Sequence, residues 1–173
     1  AVGQHRDHFG VAWLDLASGR FRVLEVSGAE ALASELQRLN PAEVLYQDTV
    51  SLPLLTTHRG ARAQPSWEFD EDSARRALNL QFQTHDLQGF GCDTLRLALG
   101  AAGCLLQYVK DTQRNNLPHI RGIAHENRAE SVILDAATRR NLEIDRNLTG
   151  GDEHTLLSGM DYCVTAMGSR LLR

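Results

Sequence analysis

Asp15, Glu35, Glu43 and Asp48 are the residues of this 173-residue sequence whose types could do the most demanding chemistry. In-line phosphodiester cleavage needs several carboxylates converging on two metal ions roughly 3.5–4 Å apart. Asp15 ends what reads as a first strand, and Glu35, Glu43 and Asp48 follow as its candidate partners. Against that grouping, Asp15 stands beside a turn, where solvated acids are common, and Glu35 sits in a predicted helix of ordinary exposed polar residues. The expectation is therefore a chain with no catalytic, cofactor or metal site. A metal-dependent nuclease using Asp15 is the alternative.

Other chemistries lack their residues. No G-x-x-x-x-G-K-[ST] loop is present to cradle phosphates with backbone N–H groups and a lysine. Gly100 and Gly103 fall inside a strong helical pattern and read as close packing. No G-x-S-x-G elbow marks Ser158, Ser169 or any other serine as a nucleophile. The seven histidines are scattered, with only His5 and His8 close together. Cys92, Cys104 and Cys163 form no C-x-x-C pair, so neither a zinc site nor a disulfide framework is expected, and a reducing cytoplasm fits. Arg139 and Arg140 could touch phosphate, but near Glu143 and Asp145 they read as a solvated helix face.

Charge narrows the partners. The net charge is −4, and residues 1–113 hold 10 Lys/Arg against 14 Asp/Glu, whereas 114–173 hold 8 of each. Tight nucleic-acid binding draws on a basic face that displaces counterions, so direct DNA contact by the first part is not expected. No run approaches the roughly 18 apolar residues of a membrane span.

The elements that must position these residues are legible from periodicity. Phe9–Leu16 alternates apolar residues on both faces, as an inner strand does, and Phe21–Val26 follows after turn residues 17–20, predicting an antiparallel hairpin. Ser27 and Glu30 have capping-box spacing for a helix to Leu39, with a stripe at Leu32, Leu36 and Leu39. Glu43–Tyr46 reads as a strand and Ala61–Trp67 as an edge strand. Asp70–Phe82 and Asp93–Gln113 read as helices, the latter with a stripe at Leu95, Leu99, Ala102, Leu106 and Val109. Asn115–Pro118 stops that helix, Ile120–Glu126 reads as extended, and the domain boundary falls between about 118 and 131. Beyond it, Asp135–Ile144 and His154–Cys163 read as helical, and 167–173 as the opening of another helix. The fold class is α/β: a mixed sheet with helical cover, followed by an incomplete all-α segment.

Several stretches together resemble the MutS family of DNA mismatch-repair proteins. They are F-G-V-A-W-L-D-L-A-S-G-R-F at 9–21, L-N-P-A-E-V-L-Y at 39–46, G-F-G at 89–91, L-L-Q-Y-V-K-D-T-Q at 105–113, L-P-H-I at 117–120, L-D-A-A-T-R-R-N-L-E-I at 134–144 and V-T-A-M-G-S-R-L-L at 164–172. The resemblance implies that residues 1–125 are a connector domain, ribonuclease-H-like without the nuclease function, and that 126–173 begin the helical lever. It implies a piece of a longer protein whose mismatch-reading domain, clamp and ATPase lie elsewhere, so that ATP, Mg²⁺, mismatched DNA and a homodimer belong to the full-length protein only. The connector would relay state between mismatch reading and the ATPase and dock the partner protein MutL. Lys110, Asp111 and Arg114 are the candidate docking residues, and 115–128 the candidate hinge. Phe69-Asp70-Glu71 spells the F-x-E of the family's mismatch-reading wedge, but at a predicted helix start it reads as capping.

Overall fold

Val2–His5 forms strand β1, His8–Asp15 β2 and Arg20–Ser27 β3 of an antiparallel meander in which Val2 faces Val11, and Asp15 faces Arg20. Helix α1, Ala29–Leu39, crosses to β4, Val44–Gln47, which runs parallel to β1. The short helix α2, Pro53–Thr56, leads to β5, Ala61–Gln64, parallel to β4. A 3-10 turn at Ser66–Phe69 precedes α3, Glu71–Phe82, and another at Gln88–Phe90 precedes α4, Arg96–Gln113. Strand β6, Ala124–His125, closes the sheet parallel to β3, giving the six-stranded order β5-β4-β1-β2-β3-β6. This mixed sheet with a leading antiparallel meander is the ribonuclease-H-like architecture. The computed structural model describes residues 1–114, 117–127, 134 and 136–172, in two compact units, Ala1–Ser131 and Val132–Arg173.

In the first unit the pleat sends alternate side chains into two apolar layers. Phe9, Val11, Leu24 and Val26 meet Leu32 and Leu36 of α1, while Ala12, Phe21 and Val23 meet Leu99, Ala102 and Leu106 of α4. Helix α4 packs on β1, β2, β3 and α3 and is buried on more than its predicted stripe, since Ala98, Gly100, Ala101, Gly103 and Cys104 are also enclosed. Small residues permit that closeness. A Cβ on Gly10 of β2 would overlap the Leu97 carbonyl and the Ala98 nitrogen, and one on Gly103 would lie 2.6 Å from the Ala74 Cα. The first turn of α4 has no cap from its own neighbours. Instead Glu25 of β3 accepts the Leu97 and Ala98 amides at 2.8 and 3.1 Å, satisfying orphan donors at the positive helix end.

Several expectations are corrected. Val2–His5 is a strand although V-G-Q-H has no periodic signal, because β2 and β4 supply its pairing. Ser27 does not cap α1: it ends β3, its hydroxyl meets His8 Nδ1 at 2.8 Å, and Gly28 takes the N-cap position at φ 87°. The edge strand predicted to Trp67 ends at Gln64, where Pro65 removes a ladder donor. Of the predicted extended run 120–126, only Ala124–His125 pairs as strand.

The second unit contains α5, Ala136–Asn141, α6, Leu156–Met160, and α7, Ala166–Leu172. The helix predicted for 154–163 is shorter because Thr155 starts it through a capping box with Ser158 and Asp161 follows its last turn. The Leu156 and Leu157 amides donate to the Glu143 and Ile144 carbonyls at 3.0 and 2.8 Å, tying α6 to the end of the α5 segment. Leu156, Tyr162, Val164, Met167, Leu171 and Leu172 are exposed, whereas Leu157 is half-buried. The predicted helix stop at Asn115-Asn116, the helix start at Asp135, the Arg139 side chain and Arg173 lie outside the described residues. Among the described residues no helix is long and apolar enough to cross a membrane.

Candidate functional site

Three of the four candidate carboxylates, Asp15, Glu35 and Glu43, have other partners. Asp15 lies on the second strand, not the first, because Val2–His5 precedes it. Its Oδ1 accepts the Ala17 amide at 3.0 Å and its Oδ2 the Ser18 hydroxyl at 2.6 Å, an Asx turn that closes the β2–β3 hairpin. The Ser18 hydroxyl, then the Ala17 amide, hold its carboxyl below the usual range. Glu35, expected on a solvated face, is buried at 6% exposure and paired with Arg38 Nε at 2.8 Å. Glu43 accepts the Tyr108 hydroxyl at 2.7 Å and contacts Arg62 at 3.4 Å. The Tyr108 bond is the main cause of its lowered pKa. Asp48 is exposed. Asp15 and Glu43 do line one apolar groove of about 480 Å³ with Leu14, Leu39 and Leu105, but with their oxygens engaged. Among the described residues no group of three His, Cys, Asp or Glu is placed to hold a metal ion. The nuclease alternative therefore has no support in the geometry.

A different surface stands out on the outer side of α3. Leu78 and Phe82 point into the core, so Leu80, about 200° further round the helix from Leu78, points outward and is 78% exposed. Leu80 separates two open grooves. One, of about 590 Å³, is walled by Gln83, Lys110, Pro118, Ile120 and Arg121. The other runs past Arg76, Asn79, Thr84 and His85. The formally charged side chains lining them are Arg76, Lys110 and Arg121, so an apolar knob sits among cations with no acid in either wall.

The candidate docking residues fall unequally on this surface. Lys110 forms part of a groove wall. Asp111 turns to Gln107, accepting its Nε2 at 2.9 Å. Arg114 is exposed at the left-handed C-cap of α4, φ 51°, where its N–H donates to the Lys110 carbonyl at 2.8 Å. Leu80, Arg76 and Arg121 escaped the reading of the sequence, although an outward leucine two positions from Leu78 was a visible departure from the buried stripe.

A family model described as MutS domain II matches residues 1–121, and one described as MutS domain III matches residues 137–173. The chain belongs to the MutS family. Its two structural units follow the same order as the MutS domains, with the division at Ser131/Val132 lying between the matched stretches.

Packing and capping account for the glycine pair and for the F-x-E spelling. The glycine pair of α4 is filled by protein: a Cβ on Gly100 would meet the Phe69 backbone, and one on Gly103 the Ala74 side chain. Nor does Phe69-Asp70-Glu71 present a wedge to DNA. Phe69 is in the core, Asp70 caps α3 by accepting the Ser73 amide at 2.9 Å, and Glu71 pairs with Arg75 and Arg96. Burial works to raise the Glu71 pKa, but the hydrogen bonds from Arg96 and Arg75 hold it below the usual value.

Proposed function

We propose that residues of the first unit act as a non-catalytic connector of a MutS mismatch-repair protein, relaying state between mismatch recognition and the ATPase, and that the α3–α4 face docks MutL. The observation that carries the docking reading is Leu80, 78% exposed between grooves lined by cations. An apolar side chain standing between two concave walls gives a partner a knob to enclose, and enclosing it removes apolar area from water. The cations select an acidic rim on the partner and steer its approach. On this reading ATP, Mg²⁺, mismatched DNA and homodimerisation belong to other parts of the whole protein. The acidic balance of residues 1–113 supports keeping this unit off DNA.

In the whole MutS protein, Leu80→Glu with Lys110→Glu is expected to lower ATP-dependent MutL recruitment at least about tenfold, while mismatch binding stays unchanged. Asp111→Lys, off the groove, is expected to do less than Lys110→Glu. Surface-captured mismatch DNA, with MutL binding read directly, checks both. Unaltered recruitment by the double variant would end the docking reading.

A further inference from the structure

Residues 117–127, the described part of the candidate hinge, are fastened to the first unit at both ends. At the start, Gln81 Nε2 of α3 donates to the Leu117 and Ile120 carbonyls at 3.0 and 3.2 Å. Within the same stretch, His119 Nε2 lies 3.0 Å from the Leu16 carbonyl, and Gly19, φ 69°, leaves room for it, since a Cβ there would come 2.7 Å from the His119 carbonyl oxygen. At the end, the Glu126 amide donates to the Val23 carbonyl at 2.9 Å, and its carboxylate bridges Arg22 Nη1 at 2.9 Å and Arg38 Nη2 at 2.7 Å. Arg38 is in turn held by Glu35 and lies over the Trp13 ring at 5.5 Å. Its Nη2 makes ionic contacts, and its aligned hydrogen bond is from Nε to Glu35. Along the segment the Leu117, Ile120 and Ile123 side chains are buried.

We propose that this segment is a strap that opens and closes as one cooperative element, so that a disturbance at the α3 groove is felt at Glu126. Strand β6 is two residues long, too short to hold the sheet edge by pairing alone. Its attachment depends on the Glu126 ion cluster on one side and on Ile123 and Ile120 on the other. The same strap supplies Pro118, Ile120 and Arg121 to the groove wall beside Leu80. An occupant of that groove therefore presses on one end of an element whose other end lies a few residues before the division of the chain at Ser131/Val132. Local opening in contiguous units is the general physical basis of such coupling.

The purpose of the strap rests on the docking reading, but its cooperativity is tested without a partner, so the two fail separately. In the 173-residue chain, amide exchange at Ile120, bonded to the Leu117 carbonyl, reports the near end, and at Glu126, bonded to Val23, the far end. Gln81→Leu and His119→Ala each remove part of the near tie, and Glu126→Gln removes the charge at the far one. Each variant is expected to speed exchange at both amides about tenfold, with the amides of α4 unchanged. Acceleration confined to the end that was altered would overturn the proposal. So would acceleration shared equally by α4, because the strap would then be no separate unit.

Discussion

Gly10→Ala is expected to destabilise the 173-residue chain by about 3 kcal/mol or more, at the upper end of what overpacking costs. The new methyl would occupy the space of the Leu97 carbonyl and the Ala98 nitrogen, and backbone does not rotate aside as a side chain does. Relief requires α4 to lift from β2, which would loosen the layer that joins Ala12, Leu99 and Ala102 and would draw the Leu97 and Ala98 amides away from Glu25. Gly89→Ala is the matched control, since a Cβ there meets nothing within 4 Å, and it is expected to leave stability within about 0.5 kcal/mol. Urea unfolding of both variants beside the parent checks the contrast. Equal stability of the two would mean that α4 and β2 do not approach as described.

The second large effect is a pH dependence of stability centred on Glu71. Its carboxylate takes Arg75 at 3.0 Å and also Arg96, joining α3 to the first turn of α4. Burial works to raise its pKa, but the hydrogen bonds from Arg96 and Arg75 hold it below the usual carboxylate value. With the folded pKa lowered, the stabilisation is present above the unfolded pKa and is lost as pH falls through the folded one. Glu71→Gln is expected to cost about 1 kcal/mol near neutral pH and less in acid, where the parent has lost the same interaction. Urea unfolding of parent and variant from about pH 7 to about pH 3 checks this. A difference that stays constant over that range would contradict it.

The elements whose stability is local were readable in the sequence. The β2–β3 hairpin, α1, α3 and α4 carry their own periodicity, and the Gly100 and Gly103 pair inside α4 read correctly as close packing. What escaped was set by distant partners. Strand β1 holds together through β2 and β4, not through V-G-Q-H. Ser27 had capping-box spacing, yet His8 across the ladder takes its hydroxyl. Glu25 caps a helix 72 positions further along the chain, a relation no local window contains. Glu35 looked like one more solvated helix acid; its partner Arg38 stands three positions on, but the bond from Arg38 to Glu126 spans most of the chain. On the face proposed for docking, Lys110 was named from its place at a helix end, whereas Leu80 drew no notice in a helix whose packing Leu78 and Phe82 account for. The MutS family itself was legible in short motifs, which preserve what periodicity discards.

The most direct test of the connector as a MutL-docking relay is amide exchange over this chain within the whole MutS protein on mismatched DNA, with ATP, compared with and without MutL. The account predicts slowed exchange on the outer face of α3 around Arg76–His85 and in the strap at 117–126, with α1 and β5 unchanged. Slowing confined to α1, α2 or β5, with the Leu80 face and the strap unaffected, would contradict it.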